Sequence, residues 1–371
     1  MTNHIGALDG VRGLAVILVL LFHFGLLPSG WVGVQLFFVL SGFLITRILL
    51  DGRREPLKLS LQRFYWRRSL RILPVFLLFM TTVAVTWLAT GLPASFASDW
   101  PWLVTFAANL ARLRPGDIGE PFVHMWSLAV EEQFYLVWPF AVLMLPMRQL
   151  KWVMWMLLLG IPLLRLASFG WMEGAGFSSG YAGRVVYVLP FTQFDAFAAG
   201  AVFAIWPSLI NKGSTRNLLL VATTTAACGF AVLVAEHLSG NGAFAGSFGY
   251  SMYLVERGGY FWGYSILNLL FAGLIAAAMH ERAWSSMFST APLVYIGKIS
   301  YGLYVYHLPL LLVVRHWLPR HSASAFASRE LAIFALWVAL SVLVAAISYY
   351  LVEKPILRLK DRKFMRVLPV E

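Results

Sequence analysis

Arg12 and His23 stand eleven residues apart in a stretch that is otherwise apolar, and a cation and an imidazole at that spacing can do chemistry together. At about 100° and 1.5 Å per residue, eleven residues make about three turns, so on a helix the two share a face and lie about 16 Å apart along the axis. An ionisable group in hydrocarbon costs roughly 2.5 to 3.5 kcal/mol on insertion scales, and marks a functional site unless a partner accounts for it. Imidazole is the side chain best suited to take and return a proton near neutral pH. The competing reading is a histidine satisfied by a neighbouring carbonyl; the aligned Arg12 weighs against it. With Arg12 at the cytoplasmic mouth, His23 approaches the membrane midplane.

Three further groups of residues carry the same kind of signal. Arg67, Arg68 and Arg71 precede Ile72, Leu73 and Pro74, and positions 68 and 71 share a helical face. Guanidinium forks grip phosphates in bidentate fashion, so this cluster can hold the phosphates of a nucleotide-type co-substrate; anchoring beside anionic lipid is an equal alternative. The run from His124 to Tyr135 places Ser127, Glu131 and Glu132 at the start of an apolar span. One of the two acids, Glu131 by preference, is expected to face the bundle interior and orient His23 or pair with a buried arginine; a purely structural carboxylate is as good a reading. Asp195 is an isolated acid within an apolar run, and Ser300, Tyr304 and His307 recur on one helical face, with Tyr301 beside them as packing.

The elements that position these residues follow from hydropathy. The 371 residues are 60% hydrophobic and 12% charged, with mean hydropathy +0.73, which makes lipid the main solvent and leaves no segment for a separate soluble domain. Apolar runs of about 20 residues, the length a bilayer core requires, fall near 10–28, 33–50, 70–91, 124–146, 152–171, 188–206, 217–237, 260–280, 293–317 and 330–352. The expected fold is all-α, a polytopic transmembrane bundle of about ten helices, with an integral membrane domain over 1–355 and a basic tail over 356–371. A further half-buried helix between Pro101 and Leu113 widens the count to nine to eleven. The N-terminal span has no signal-peptide cleavage site and is retained as the first helix.

Net charge is +12, and the basic residues cluster between Asp51 and Arg71, near Arg148, Lys151, Lys212 and Arg216, at Arg282, and after Tyr350. By the positive-inside rule these segments are cytoplasmic, which puts both termini inside and explains the basic charge without nucleic acid. The single cysteine, Cys228, excludes a disulfide framework or a multi-thiol metal site, and no metal is expected.

The segment Leu8 to Gly13, the Arg12 to His23 spacing and the run Phe37 to Leu44 resemble the membrane-bound acyltransferase 3 family. Arg67 to Pro74, Trp126 to Tyr135 and Ile299 to His307 follow in that family's order, so the resemblance spans roughly residues 5 to 355. It implies a ten-helix protein of the bacterial cytoplasmic membrane. Such a protein moves an acyl group, usually acetyl, from cytoplasmic acyl-CoA to a hydroxyl of a surface carbohydrate, an antibiotic or another secondary metabolite. The family's arginine and histidine separated by ten residues fall on Arg12 and His23, and its double arginine followed by a third falls on Arg67, Arg68 and Arg71. Some relatives append a soluble esterase-like domain; none is expected after the tenth helix here.

Residues and resemblance together give His23, Glu131 and Glu132 as the catalytic set, with Arg12, Arg67, Arg68 and Arg71 holding the phosphates of acyl-CoA, which is a co-substrate and not a resident cofactor. Ser127, Asp195, Ser300, Tyr304 and His307 are supporting candidates. The main rival is a proton-coupled transporter built on buried His, Arg and Glu; the crowding of ionisable groups at the cytoplasmic ends of the first and third helices, and the want of a pair of Gly- or Pro-broken spans marking a midplane substrate site, speak against it.

Overall fold

The computed structural model describes residues 6–210, 214–240, 247–318 and 326–360, and among them all regular structure is helical. In chain order the helices begin with α1 (Gly6–Phe24), α2 (Val32–Gly52), α3 (Leu57–Thr90), α4 (Phe96–Val104), α5 (Ala108–Ala111) and α6 (Met125–Met144). They continue with α7 (Met147–Gly174), α8 (Ser179–Val188), α9 (Phe194–Ile205), α10 (Ser214–Leu238) and α11 (Gly259–His280). The last are α12 (Arg282–Phe288), α13 (Ala291–Lys298), α14 (Ser300–Trp317), α15 (Phe326–Ser348) and α16 (Lys354–Leu357).

Seven of these stretches are long and apolar enough to cross a membrane, and an eighth is added if α13 and α14 count as one broken span. The expected span 124–146 is α6, whose two acids lower its hydropathy. The expected continuous span 188–206 is instead broken between α8 and α9, and only the 12-residue, largely apolar α9 remains of it. The expected half-buried helix between Pro101 and Leu113 is two short pieces, α4 and α5. Lys212 and the tail from residue 361 lie outside the described residues.

The chain separates into two compact units, one from the residues up to Asp51 together with Ser127–Gly297, the other from Gly52–Trp126 together with the residues from Lys298 onward. In the first, α11 is the central helix and packs on α1, α7, α9, α10 and α12. Backbones meet closely at small residues: a Cβ on Gly42 would collide with the Phe197 carbonyl, and one on Gly200 with the carbonyl of Val39, so α2 and α9 lie almost in main-chain contact. Without a hydrophobic drive between helices in lipid, such close van der Waals packing is what holds them together. Outside the spans, Tyr250 donates to the Thr225 carbonyl and receives the Trp31 indole N–H on its own carbonyl. Burial, with Cys228 nearby, pushes its phenol well above the usual tyrosine range, so it stays a donor.

The break between α8 and α9 has a readable cause. Pro190 cannot continue α8, and the carbonyls that the break frees are met by side chains. Thr192 Oγ1 donates to Val186 and Leu189 at 2.6 and 2.7 Å, and Gln193 Nε2 donates to Tyr187 at 2.8 Å. Gln35 from α2 closes the set with a 2.8 Å bond to Gln193 Oε1. In hydrocarbon each of these groups must be satisfied internally, which is why irregular backbone here demands such a dense set of partners.

In the second unit, α3 runs 34 residues, about 51 Å at helical rise, longer than a bilayer core, so its basic first turns extend beyond the apolar part. It ends at Gly91, whose left-handed φ of 72° and N–H to the Trp87 carbonyl close the helix. α14 and α15 pack as a pair, α14 also on α3, and a π-helical turn, Tyr349–Glu353, leads into α16, which returns to α3. Buried Asp99 on α4 accepts the Gly119 N–H at 2.8 Å and pairs with Arg114, fixing the 92–123 connection.

Candidate active site

His23 occupies the last turn of α1 and is part-buried. The expected span to residue 28 would have set it more than a turn inside the helix; instead α1 stops at Phe24, where Gly25 takes a φ of 92° and turns the chain. Its Nδ1–H donates to the Val19 carbonyl 3.0 Å away, the tautomer in which Nε2 carries the lone pair, and Phe22 meets the ring edge-on at 5.1 Å. Arg12 lies three turns earlier on the same continuous helix, part-buried, so the alignment expected from spacing is present in α1.

Glu131 and Glu132 fall in α6 and are both part-buried. The structure brings Glu131 to Ser41 and Tyr135, not to His23: both hydroxyls donate to Glu131 Oε1, and Tyr135 stands 3.2 Å from Ser41 Oγ. Ser127 is buried in the first turns of α6.

Asp195 is not the isolated acid expected from the sequence. Arg165 of α7 grips both its oxygens, at 2.9 and 2.8 Å, and donates as well to the Thr192 carbonyl at 2.7 Å and to Ser265 at 3.1 Å. Arg165 is fully buried and stands over the Tyr264 ring at 5.1 Å. It was not among the expected site residues, although a lone cation in the predicted span 152–171 is signal enough.

Within the second unit, Arg67 is exposed while Arg68 and Arg71, one turn apart on α3, are part-buried. Arg71 makes no ion pair among the described residues. The carbonyl of the next residue, Ile72, accepts from Tyr301 of α14 at 3.0 Å, so a residue expected only to pack pins the arginine-bearing segment. Ser300, Tyr304 and His307 are all buried on α14. Tyr304 donates to the His124 carbonyl at 2.9 Å, and His307 Nδ1–H donates to the Tyr304 carbonyl at 2.7 Å. The rings of His124 and His307 meet edge-on at 5.0 Å, and His124 Nε2–H reaches the Val305 carbonyl at 3.2 Å. Together they form a buried aromatic and imidazole cluster tied to main-chain carbonyls.

The chain thus carries Arg12 and His23 on α1 and the arginine cluster on α3, and comparison with known proteins decides the family. A family described as the acyltransferase domain matches residues 5–353. The chain belongs to the acyltransferase 3 family. It is 30% identical over 375 residues to the peptidoglycan O-acetyltransferase OatA of Listeria monocytogenes, which covers 95% of this chain and 56% of the relative. It is 29% identical over 385 residues to the O-acetyltransferase OatA of Staphylococcus aureus, covering 99% of this chain and 59% of that protein. The chain therefore spans less than three fifths of the length of these curated relatives. No solved structure matches it. As a family member with at least seven membrane-length apolar helices, it is a multi-pass membrane protein.

Proposed function

We propose that this protein transfers an acetyl group, or a similarly short acyl group, from cytoplasmic acyl-CoA to a hydroxyl of a carbohydrate at the bacterial cytoplasmic membrane, with both its termini in the cytoplasm. The similarity to peptidoglycan O-acetyltransferases favours a cell-wall sugar as acceptor. The observation that carries the reading is His23, its Nδ1 committed to Val19 and its helix shared with Arg12.

In this mechanism His23 Nε2 takes the proton of the acceptor hydroxyl as its oxygen attacks the thioester carbonyl, and returns it to the departing CoA sulfur. The bond formed is the ester C–O and the bond broken is the thioester C–S, so no oxidant or reductant is needed. Arg68 and Arg71, with Arg67 and Arg12, hold phosphate; the absence of an ion pair at Arg71 among the described residues leaves its fork available for this. Glu131, fixed by Ser41 and Tyr135, supports the frame of the site, and Glu132, next to it on α6, is the remaining candidate to orient the imidazole.

The break between α8 and α9 does not by itself argue for transport, because Arg165 and Asp195 neutralise each other there. Purified protein in liposomes, given labelled acetyl-CoA and a soluble peptidoglycan fragment, should release CoA and label the fragment. Ion flux without CoA release would support a transporter instead.

A further inference from the structure

α7, α9, α10 and α11, all in the first unit, enclose a cavity of about 820 Å³, within the usual size of a small-molecule site. Its rim includes Leu159, Leu163 and Leu269, all exposed, so it opens sideways on a surface that faces lipid. Most of its wall is apolar, but Asp195, Ser265 and Asn268 contribute polar groups. Asn268 is 2% exposed, and neither its Oδ1 nor its Nδ2 has a hydrogen-bond partner among the described residues. A buried amide left unmet in hydrocarbon is costly, so this one calls for a ligand that both donates and accepts.

The surroundings select the chemistry. Among the described residues no cation lines the cavity to receive a phosphate or carboxylate, and Asp195 is already neutralised by Arg165, so an ammonium gains no counter-ion there. What fits is a neutral group that donates and accepts, carried on an apolar body that reaches the cavity through the bilayer. We propose that the cavity binds a long-chain lipid alcohol, whose hydroxyl exchanges hydrogen bonds with the Asn268 amide beside Ser265 while its chain lies along the leucines of the rim. This site stands apart from acyl transfer at His23 and is tested by occupancy alone, so either proposal can fail without the other.

Cys228 lines the same cavity, is partly buried, and is the single cysteine of the chain, which makes it a reporter that needs no engineering. Its alkylation by N-ethylmaleimide is followed by intact mass in the detergent-solubilised full chain, with hexadecanol, hexadecane or hexadecanoate at equal mole fraction. Hexadecanol should slow labelling about fivefold more than hexadecane, the size of one good hydrogen bond, and Asn268→Leu should erase that difference. Equal protection by hexadecane, stronger protection by hexadecanoate, or an unchanged rate with all three would overturn the proposal. The comparison of hexadecanol with hexadecane on the unaltered protein decides it even if Asn268→Leu fails to fold.

Discussion

Arg165 and Arg71 are the same side chain in the same chain, each on a long membrane helix, with opposite surroundings. Arg165 is fully buried and spends its guanidinium on both oxygens of Asp195, on a main-chain carbonyl and on Ser265. Arg71 is part-buried and has no ion pair among the described residues. Arg165 is a charge that holds a broken helix in shape; the proposed function assigns Arg71 to a ligand, and residue type alone does not separate the two roles.

Three substitutions sharpen that comparison. Arg165→Leu leaves Asp195 as a buried, uncompensated carboxylate and should destabilise the protein by about 3–5 kcal/mol, read as a lowered unfolding midpoint in detergent; the double replacement Arg165→Leu with Asp195→Leu should recover much of it. Arg71→Leu should leave the midpoint unchanged and raise the KM for acyl-CoA by about tenfold or more, the worth of a charge-assisted phosphate contact of roughly 1.5–3 kcal/mol. A drop in stability with unchanged KM would place Arg71 with Arg165 as structural. Tyr135→Phe removes one of the two hydroxyls on Glu131 and should cost about 1 kcal/mol of stability, the smallest of the three effects.

The same comparison explains what was legible in the sequence. Hydropathy located the long helices, because hydrocarbon demands long apolar runs whatever they pack against. The sharing of α1 by Arg12 and His23 was legible for a related reason: helical periodicity is local. The break at Leu189 to Gln193 had a local signal in Pro190, but the partners that satisfy it, Arg165 and Gln35, come from other elements and meet it only in the folded chain. The partner of Glu131 was not legible, because Ser41 lies 90 residues away and a hydroxyl in an apolar run carries no periodic signal. Asp195 looked isolated for the same reason. Its counter-ion stands 30 residues earlier in another span; Arg165 is conspicuous there, but which acid it meets is set only by packing.

The most direct test of acyl transfer at His23 replaces it by alanine and by glutamine and measures release of CoA from labelled acetyl-CoA in liposomes, alongside helix content and unfolding midpoint. The account predicts a loss of about 10²–10⁴-fold for both, the usual worth of a general base, in variants whose helix content and unfolding midpoint match those of the unaltered protein. A well-folded variant turning over at the rate of the unaltered protein would contradict it.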